Sequence, residues 1–220
     1  MTAIQFTALP MGDSRADIRV PMHHSVAVTG DTEGGPDGLV GMALGLDPIP
    51  PGAQVLVLGE DVSALRRLAL LAFRRRVGYV PAGDGLMQNL SLAENVALPL
   101  RFGSPLTSTA IESRLKVVLA VVRLGAAATL RPADAEVDQR RRAAVARALV
   151  FDPALVVMAQ PFDGLSARSA AELLETVRGG EVAEGGRRTV FIVGSDLPDR
   201  IRPRLEAVYR VAHGTLTPNA

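Results

Sequence analysis

Five short apolar runs, rich in valine and isoleucine, constrain this chain more than any other feature: Ser25–Thr29, Gln54–Leu58, Val77–Val80, Leu155–Met158 and Val190–Val193. They are brief and lack alternation with polar residues, so each reads as a strand covered on both faces. Helical patterns lie between several of them. Strands alternating with helices predict an α/β fold built on a mostly parallel sheet.

The middle of the chain breaks that rhythm. From about Leu86 to Arg147 no strand pattern occurs. Ser91 followed three residues later by Glu94 has the form of a capping box at a helix start. Ile111, Leu115, Val118, Leu119 and Val122 share one helical face. The expectation is a helical insertion of about residues 86–147 within a single domain spanning 1–220. Ala207–Thr217 reads as a terminal hairpin with His213-Gly214 at its turn, and the Pro/Gly cluster Asp47–Gly52 as a loop.

Composition excludes several function classes. The 220 residues are 48% hydrophobic, enough for a buried core and too apolar for disorder. Basic and acidic residues number 24 and 23, which argues against a nucleic-acid partner held by bulk charge. Two local clusters, Arg74–Arg76 and Arg140–Arg142, read as solvated helix faces. With no cysteine, disulfides, thiolate catalysis and zinc–sulfur sites are ruled out. The N-terminal segment lacks the pattern of a signal peptide. The longest apolar stretch, Val117–Leu130, is too short and too broken to span a bilayer. The expected location is cytoplasmic, with any contact to a membrane made through a partner.

One loop carries chemistry. The strand Ser25–Thr29 runs into Gly30-Asp31-Thr32-Glu33-Gly34-Gly35-Pro36-Asp37, and a helix is expected over Gly38–Leu46. That is the setting of a phosphate-binding loop, G-x-x-x-x-G-K-S/T. Here the lysine position holds Pro36 and the hydroxyl position Asp37. Proline brings no charge to a phosphate and removes a backbone N–H from the cradle. Asp37 and Glu33 repel phosphate. A helix start attracts anions, and these carboxylates can fill that place themselves. Pro36 also suits a first helical turn, so a self-capped turn is favoured over a working phosphate site.

Longer segments carry a family resemblance. VGYVPAGDGLMQNLSLAENVALPLRFG (Val77–Gly103), LRPADAEVDQRRRAAVARALVFDPALVVMAQPFDGLSARSA (Leu130–Ala170) and TVFIVGSDL (Thr189–Leu197) resemble, in order and without a gap, the Q-loop region, the signature-to-D-loop region and the strand before the H-loop of ABC transporter ATPases. The likeness runs from about Ile4 to Leu216. It implies a P-loop NTPase-like (RecA-like) fold, a mostly parallel sheet with N-terminal antiparallel strands and the helical insertion. Glu94–Arg101 (ENVALPLR) is similar to ATPases of lipid-trafficking and lipoprotein-releasing exporters.

The functional positions depart from the family pattern. The Q-loop glutamine falls on Ala82. The signature LSGGQ falls on Ala135-Glu136-Val137-Asp138-Gln139, keeping only its last residue. In the family those amides clamp the γ-phosphate bound to the opposing subunit; two carboxylates and a Cβ stand there instead. The Walker B aspartate falls on Ala159 and the catalytic glutamate on Gln160, which can orient water but is no carboxylate base. The D-loop aspartate falls on Ser166 and the H-loop histidine on Ser195. No aromatic residue lies between Phe6 and Phe73 to stack on adenine; Met11 or the His23-His24 pair would be a poor substitute. Those histidines read as an exposed strand end rather than a metal site.

Retained are the helix after the signature, Pro161-Phe162 and Asn89–Arg101, the stretch beside the groove where family members receive a coupling helix. These serve packing and docking. The resemblance implies an ABC membrane permease or a partner ATPase as the companion, in a homo- or heterodimer. The expectation is no bound cofactor, with at most weak affinity for Mg-ATP, and no hydrolysis. The alternative is an authentic ATPase in which Asp37 holds metal and Gln160 positions water.

Overall fold

The computed structural model describes residues 1–11, 14–30, 37–179, 187–212 and 215–218. Along the chain come strands β1 (Thr2–Met11), β2 (Ser14–Pro21) and β3 (Ser25–Gly30), helix α1 (Asp37–Ala43), strands β4 (Gln54–Val57) and β5 (Glu60–Asp61), helix α2 (Arg67–Arg74) and strand β6 (Val77–Val80). Helices α3 (Leu92–Gly103), α4 (Ser108–Val121) and α5 (Val137–Leu149) follow without an intervening strand. Strand β7 (Leu155–Ala159), helix α6 (Ala167–Arg178) and strands β8 (Thr189–Gly194), β9 (Ala207–Ala212) and β10 (Thr215–Pro218) complete it.

The larger sheet has the order β10-β9-β3-β8-β7-β6. It is parallel except for the terminal β9–β10 pair, whose turn residues His213 and Gly214 lie outside the described residues. Side chains alternate between its faces. Val26, Val28, Leu155, Val157, Phe191 and Val193 enter one core, while Ala27, Val156, Met158, Val190 and Ile192 enter the other. Both cores are apolar, which is why these strands read as continuous hydrophobic runs.

The first core is closed by α1 and by an antiparallel sheet of order β2-β1-β4-β5. Here Ile4 pairs with Val20 and Phe6 with Ile18. The ring of Phe6 meets that of Phe191 at 5.9 Å between centroids, joining the two sheets. β4 corrects one expectation. It belongs to this antiparallel sheet, with Val55 and Val57 buried, Gln54 exposed and Leu56 half-buried, so only one of its faces is fully covered.

The second core is closed by α3 to α6. Ser91 and Glu94 form the expected reciprocal cap of α3. Val118 and Val122 are buried, with Ile111, Leu115 and Leu119 packed beside them. Among the described residues no helix is long and apolar enough to cross a membrane.

Candidate functional site

The C-terminal ends of the parallel strands are where open α/β sheets bind ligands. A cavity of about 250 Å³ opens there. Val40 and Gly41 of α1, Asp47 beyond it and Tyr79 of β6 form part of its wall, together with Ala82, Ala159 and Gln160. Three positions picked out by resemblance, scattered over almost 80 residues of sequence, thus meet in one place. Ser195 is exposed, one residue beyond β8; a Cβ built on the preceding Gly194 would lie 3.8 Å from the Gln160 Cα.

Backbone constraints shape this end of the sheet. Gln160 has φ of +43°, and its N–H donates to the Val193 carbonyl at 2.7 Å. Gly30 closes β3 against β9, where a Cβ would meet the Val211 carbonyl oxygen at 2.4 Å; only glycine fits. Asp31, Thr32, Glu33, Gly34, Gly35 and Pro36 lie outside the described residues. Asp37 is the first residue of α1, which starts one residue before the expected helix and stops three short of its expected end.

Ala135 to Gln139 form the start of α5 and do not line the cavity. Ala135 is buried. Glu136 is the N-cap, its side chain accepting from the Gln139 backbone N–H while the Gln139 side chain accepts from the Glu136 N–H at 3.0 Å. The positive end of the helix is therefore met by the chain's own carboxylate. Val137 packs on the turn after β7, 3.2 Å from where a Gly164 Cβ would stand. Asp138 pairs with Arg142 at 2.6 Å. Ser166 caps α6, accepting from the Ser169 N–H at 3.1 Å.

The Arg140–Arg142 cluster is not a solvated face. Arg141 is only 6% exposed. One of its nitrogens donates to the Asp163 carbonyl at 3.3 Å, and the other terminal nitrogen has no partner among the described residues. Arg142 reaches Asp138 and Glu172. Arg140 donates to Asp84 at 3.2 Å. Seven residues on, Arg147 donates to the carbonyls of Gly85 and Asp84 at 2.7 and 2.9 Å. Burial lowers the Arg147 pKa and raises that of Tyr79. Two arginines of one helix thus clamp the segment after Ala82, where Gly83, Asp84 and Gly85 all carry positive φ. The first cluster is mixed: Arg75 and Arg76 are exposed, but Arg74 donates to the carbonyls of Leu44 and Gly45.

Sequence reading also passed over Asn95 as a polar anchor. It is fully buried; its Oδ1 accepts from the Met87 N–H at 2.7 Å and its Nδ2 donates to the Met87 and Ser91 carbonyls, both at 3.0 Å. The only signal was a lone asparagine on an apolar helix face.

His23 and His24 are corrected in one respect. They precede β3, at the end opposite Gly30. Six strand residues at ~3.3 Å each separate them from the loop by about 20 Å, too far to stack on a base there. Their Nδ1 atoms lie 2.7 and 2.9 Å from the carbonyls of Arg187 and Met22. Among the described residues no group of His, Cys, Asp and Glu has a metal-holding arrangement.

No family model matches the chain. In fold it is an ATP-binding cassette: it superposes on the dimeric bacterial ABC transporter cassette MJ0796 with a TM-score of 0.82, at 21% identity, over 98% of each chain. Sequence relatives agree. The chain is 34% identical over 155 residues to the lipoprotein-releasing system ATP-binding protein LolD of Chromohalobacter salexigens, covering 70% of this chain and 65% of the relative. It is 28% identical over 182 residues to the intermembrane phospholipid transport system ATP-binding protein MlaF of Escherichia coli K12, covering 83% and 66%. Against methionine import ATP-binding protein MetN 2 of Pseudomonas aeruginosa it is 32% identical over 126 residues and spans only 38% of that protein. The chain belongs to the family of ABC transporter ATP-binding subunits.

Proposed function

We propose that this chain is a nucleotide-binding-domain homologue that does not hydrolyse ATP. In this reading it acts by shape, as a structural or regulatory subunit docked on a membrane permease or a partner ATPase at the inner face of the membrane. The cargo suggested by the LolD and MlaF relatives is lipid or lipoprotein.

The observation that carries the reading is the donor set of the 250 Å³ cavity. At the positions where the family places a metal carboxylate, a carboxylate base and a water-orienting amide, the wall offers Ala159, Gln160 and Ala82, two methyl groups and one neutral amide; its one carboxylate among the described residues, Asp47, comes from beyond α1. No cation lines it among the described residues. At the start of α5, where the family clamps a γ-phosphate, the Glu136 carboxylate already accepts from the helix backbone. A phosphate brought there meets like charge. These residues do not fit Mg-ATP. Each missing preorganised contact is worth about 3–4 kcal/mol in a transition state. Such losses are not additive, but they all point the same way.

The features that remain serve docking. Asn95 and the Ser91/Glu94 cap hold the approach to α3 in one form, and the exposed apolar residues Leu68, Leu71, Met87 and Phe102 lie on α2, on α3 and just before α3. The discriminating measurement is Mg-dependent ATP turnover by the purified chain. We expect a rate equal to that of its Gln160→Ala variant. Turnover well above it, lost on Gln160→Ala, would overturn the proposal.

One observation favours a second reading, an ATPase with unorthodox residues. The carboxylate of Asp47 lines the same cavity as Gln160, a base candidate from outside the usual motifs. Turnover abolished by Asp47→Asn would establish it.

A further inference from the structure

A second concavity, of about 710 Å³, lies between the end of α4, α5, α6 and the segment before β9. It shares no residue with the cavity beside Gln160. Five guanidiniums line it: Arg123, Arg142, Arg168, Arg200 and Arg204. Among the described residues, the only carboxylates in its wall are Glu172 and Glu175. For a chain whose formal charge is +1, this is a marked local excess of cations.

The ion pairs show which arginines are committed. Arg142 is held by Asp138 and Glu172 at 2.6 and 3.4 Å. Arg168 shares Glu172 at 2.9 Å, with most of its side chain in solvent. Arg204 approaches Glu175 at 3.8 Å, itself shared with Arg178. Arg123 and Arg200 are exposed and have no acidic partner among the described residues. Among the described residues two guanidiniums thus have no acidic partner, and two more are loosely held at the surface, where such pairs are worth little.

An independent observation singles out Arg123. It follows the end of α4 with φ of +55°, the left-handed position that terminates helices and favours glycine. An arginine there carries backbone strain. Strain at a residue whose side chain lines a concave, cationic wall is a pointer to function.

We propose that this cleft binds a multiply charged phosphate ligand. Guanidinium forks match phosphate oxygens two at a time, and the volume lies in the range of small-ligand sites, about 300–1,000 Å³. Arg123 and Arg200, with two exchangeable arginines, suit a ligand carrying several phosphate charges. This goes beyond the reading of the degenerate cassette and does not depend on it, since neither ATP nor a partner subunit enters the test.

The test is calorimetric titration of the full chain with inorganic tripolyphosphate in magnesium-free buffer. We expect binding that weakens as salt is added. Arg123→Gly and Arg200→Gln should each reduce affinity about tenfold, while Arg67→Gln, on α2, should not. Because glycine suits the backbone at 123, Arg123→Gly should also melt at a higher temperature, so lost binding there cannot be lost folding. Flotation with phosphatidic acid vesicles separates the sources. Flotation that tripolyphosphate competes away and Arg123→Gly abolishes assigns the phosphate to a lipid headgroup; tripolyphosphate binding without flotation assigns it to a soluble ligand. Absence of tripolyphosphate binding, or binding indifferent to both substitutions, would overturn the proposal.

Discussion

Gln160 joins the end of β7 to the turn before α6 with a left-handed backbone. Its N–H is fixed on Val193 while its side chain makes no hydrogen bond among the described residues. Non-glycine residues in that region carry about 1 kcal/mol or more of strain. Gln160→Gly should therefore raise stability by about 1 kcal/mol in urea unfolding, less the entropy glycine returns to the unfolded chain. A loss of stability would mean that the glutamine side chain holds the turn. Arg141 presents the opposite case, a buried guanidinium with one nitrogen unpaired among the described residues. Neither the strain nor the burial was visible in sequence. A glutamine after an apolar strand carries no sign of its φ, and three consecutive arginines look solvated until the turn from Phe162 to Leu165 is seen to lie over one of them.

At the scale of elements, α3 depends on a polar residue. Asn95 supplies the approach to that helix with one acceptor and two donors from inside the core. Truncation to alanine leaves the Met87 N–H without its acceptor and strips the Met87 and Ser91 carbonyls of their side-chain donor, leaving them only the N–H groups of Leu90 and Asn95. Unmatched buried groups cost about 1–3 kcal/mol each in part-relaxed sites. Asn95→Ala should thus lower the unfolding free energy by about 2–3 kcal/mol, and proteolysis should begin between residues 83 and 91. Cleavage elsewhere would place the weak point outside this helix.

The parallel strands were legible because burial on both faces leaves an unbroken apolar record. The pairing of Thr2–Met11 with Ser14–Pro21 was not legible from the residues themselves. Register shifts between Phe6 and Leu9, with Ala8 at φ of +54°, interrupt the alternation that marks a half-buried strand; only the family resemblance implied antiparallel strands there. Ala82, Ala159 and Gln160 were found in the same way. Nothing in an alanine announces a site, and their meeting is a property of the fold. The arginine-lined cleft was missed because its residues come from four separate segments.

At the scale of the molecule, two cores share one sheet, and Phe191 is among the largest side chains fully buried there. Its contact with Phe6 ties the antiparallel layer to the parallel one. Phe191→Ala should cost about 3–5 kcal/mol and Phe191→Leu about 1 kcal/mol, read as lower urea midpoints at unchanged slope. Equal costs for the two would show that the ring contact, lost in both, outweighs the lost volume. Because neighbouring residues of β8 point to opposite sides, a frame slip of a single position would exchange the occupants of the two interiors. Phe191 and Val193 would be driven among the helices, and Val190 and Ile192 toward the hairpin layer. Each compartment is packed around its own side chains, and close-packed interiors resist exchange, so the pleat of this one strand acts as a key that favours a single alignment of the strand.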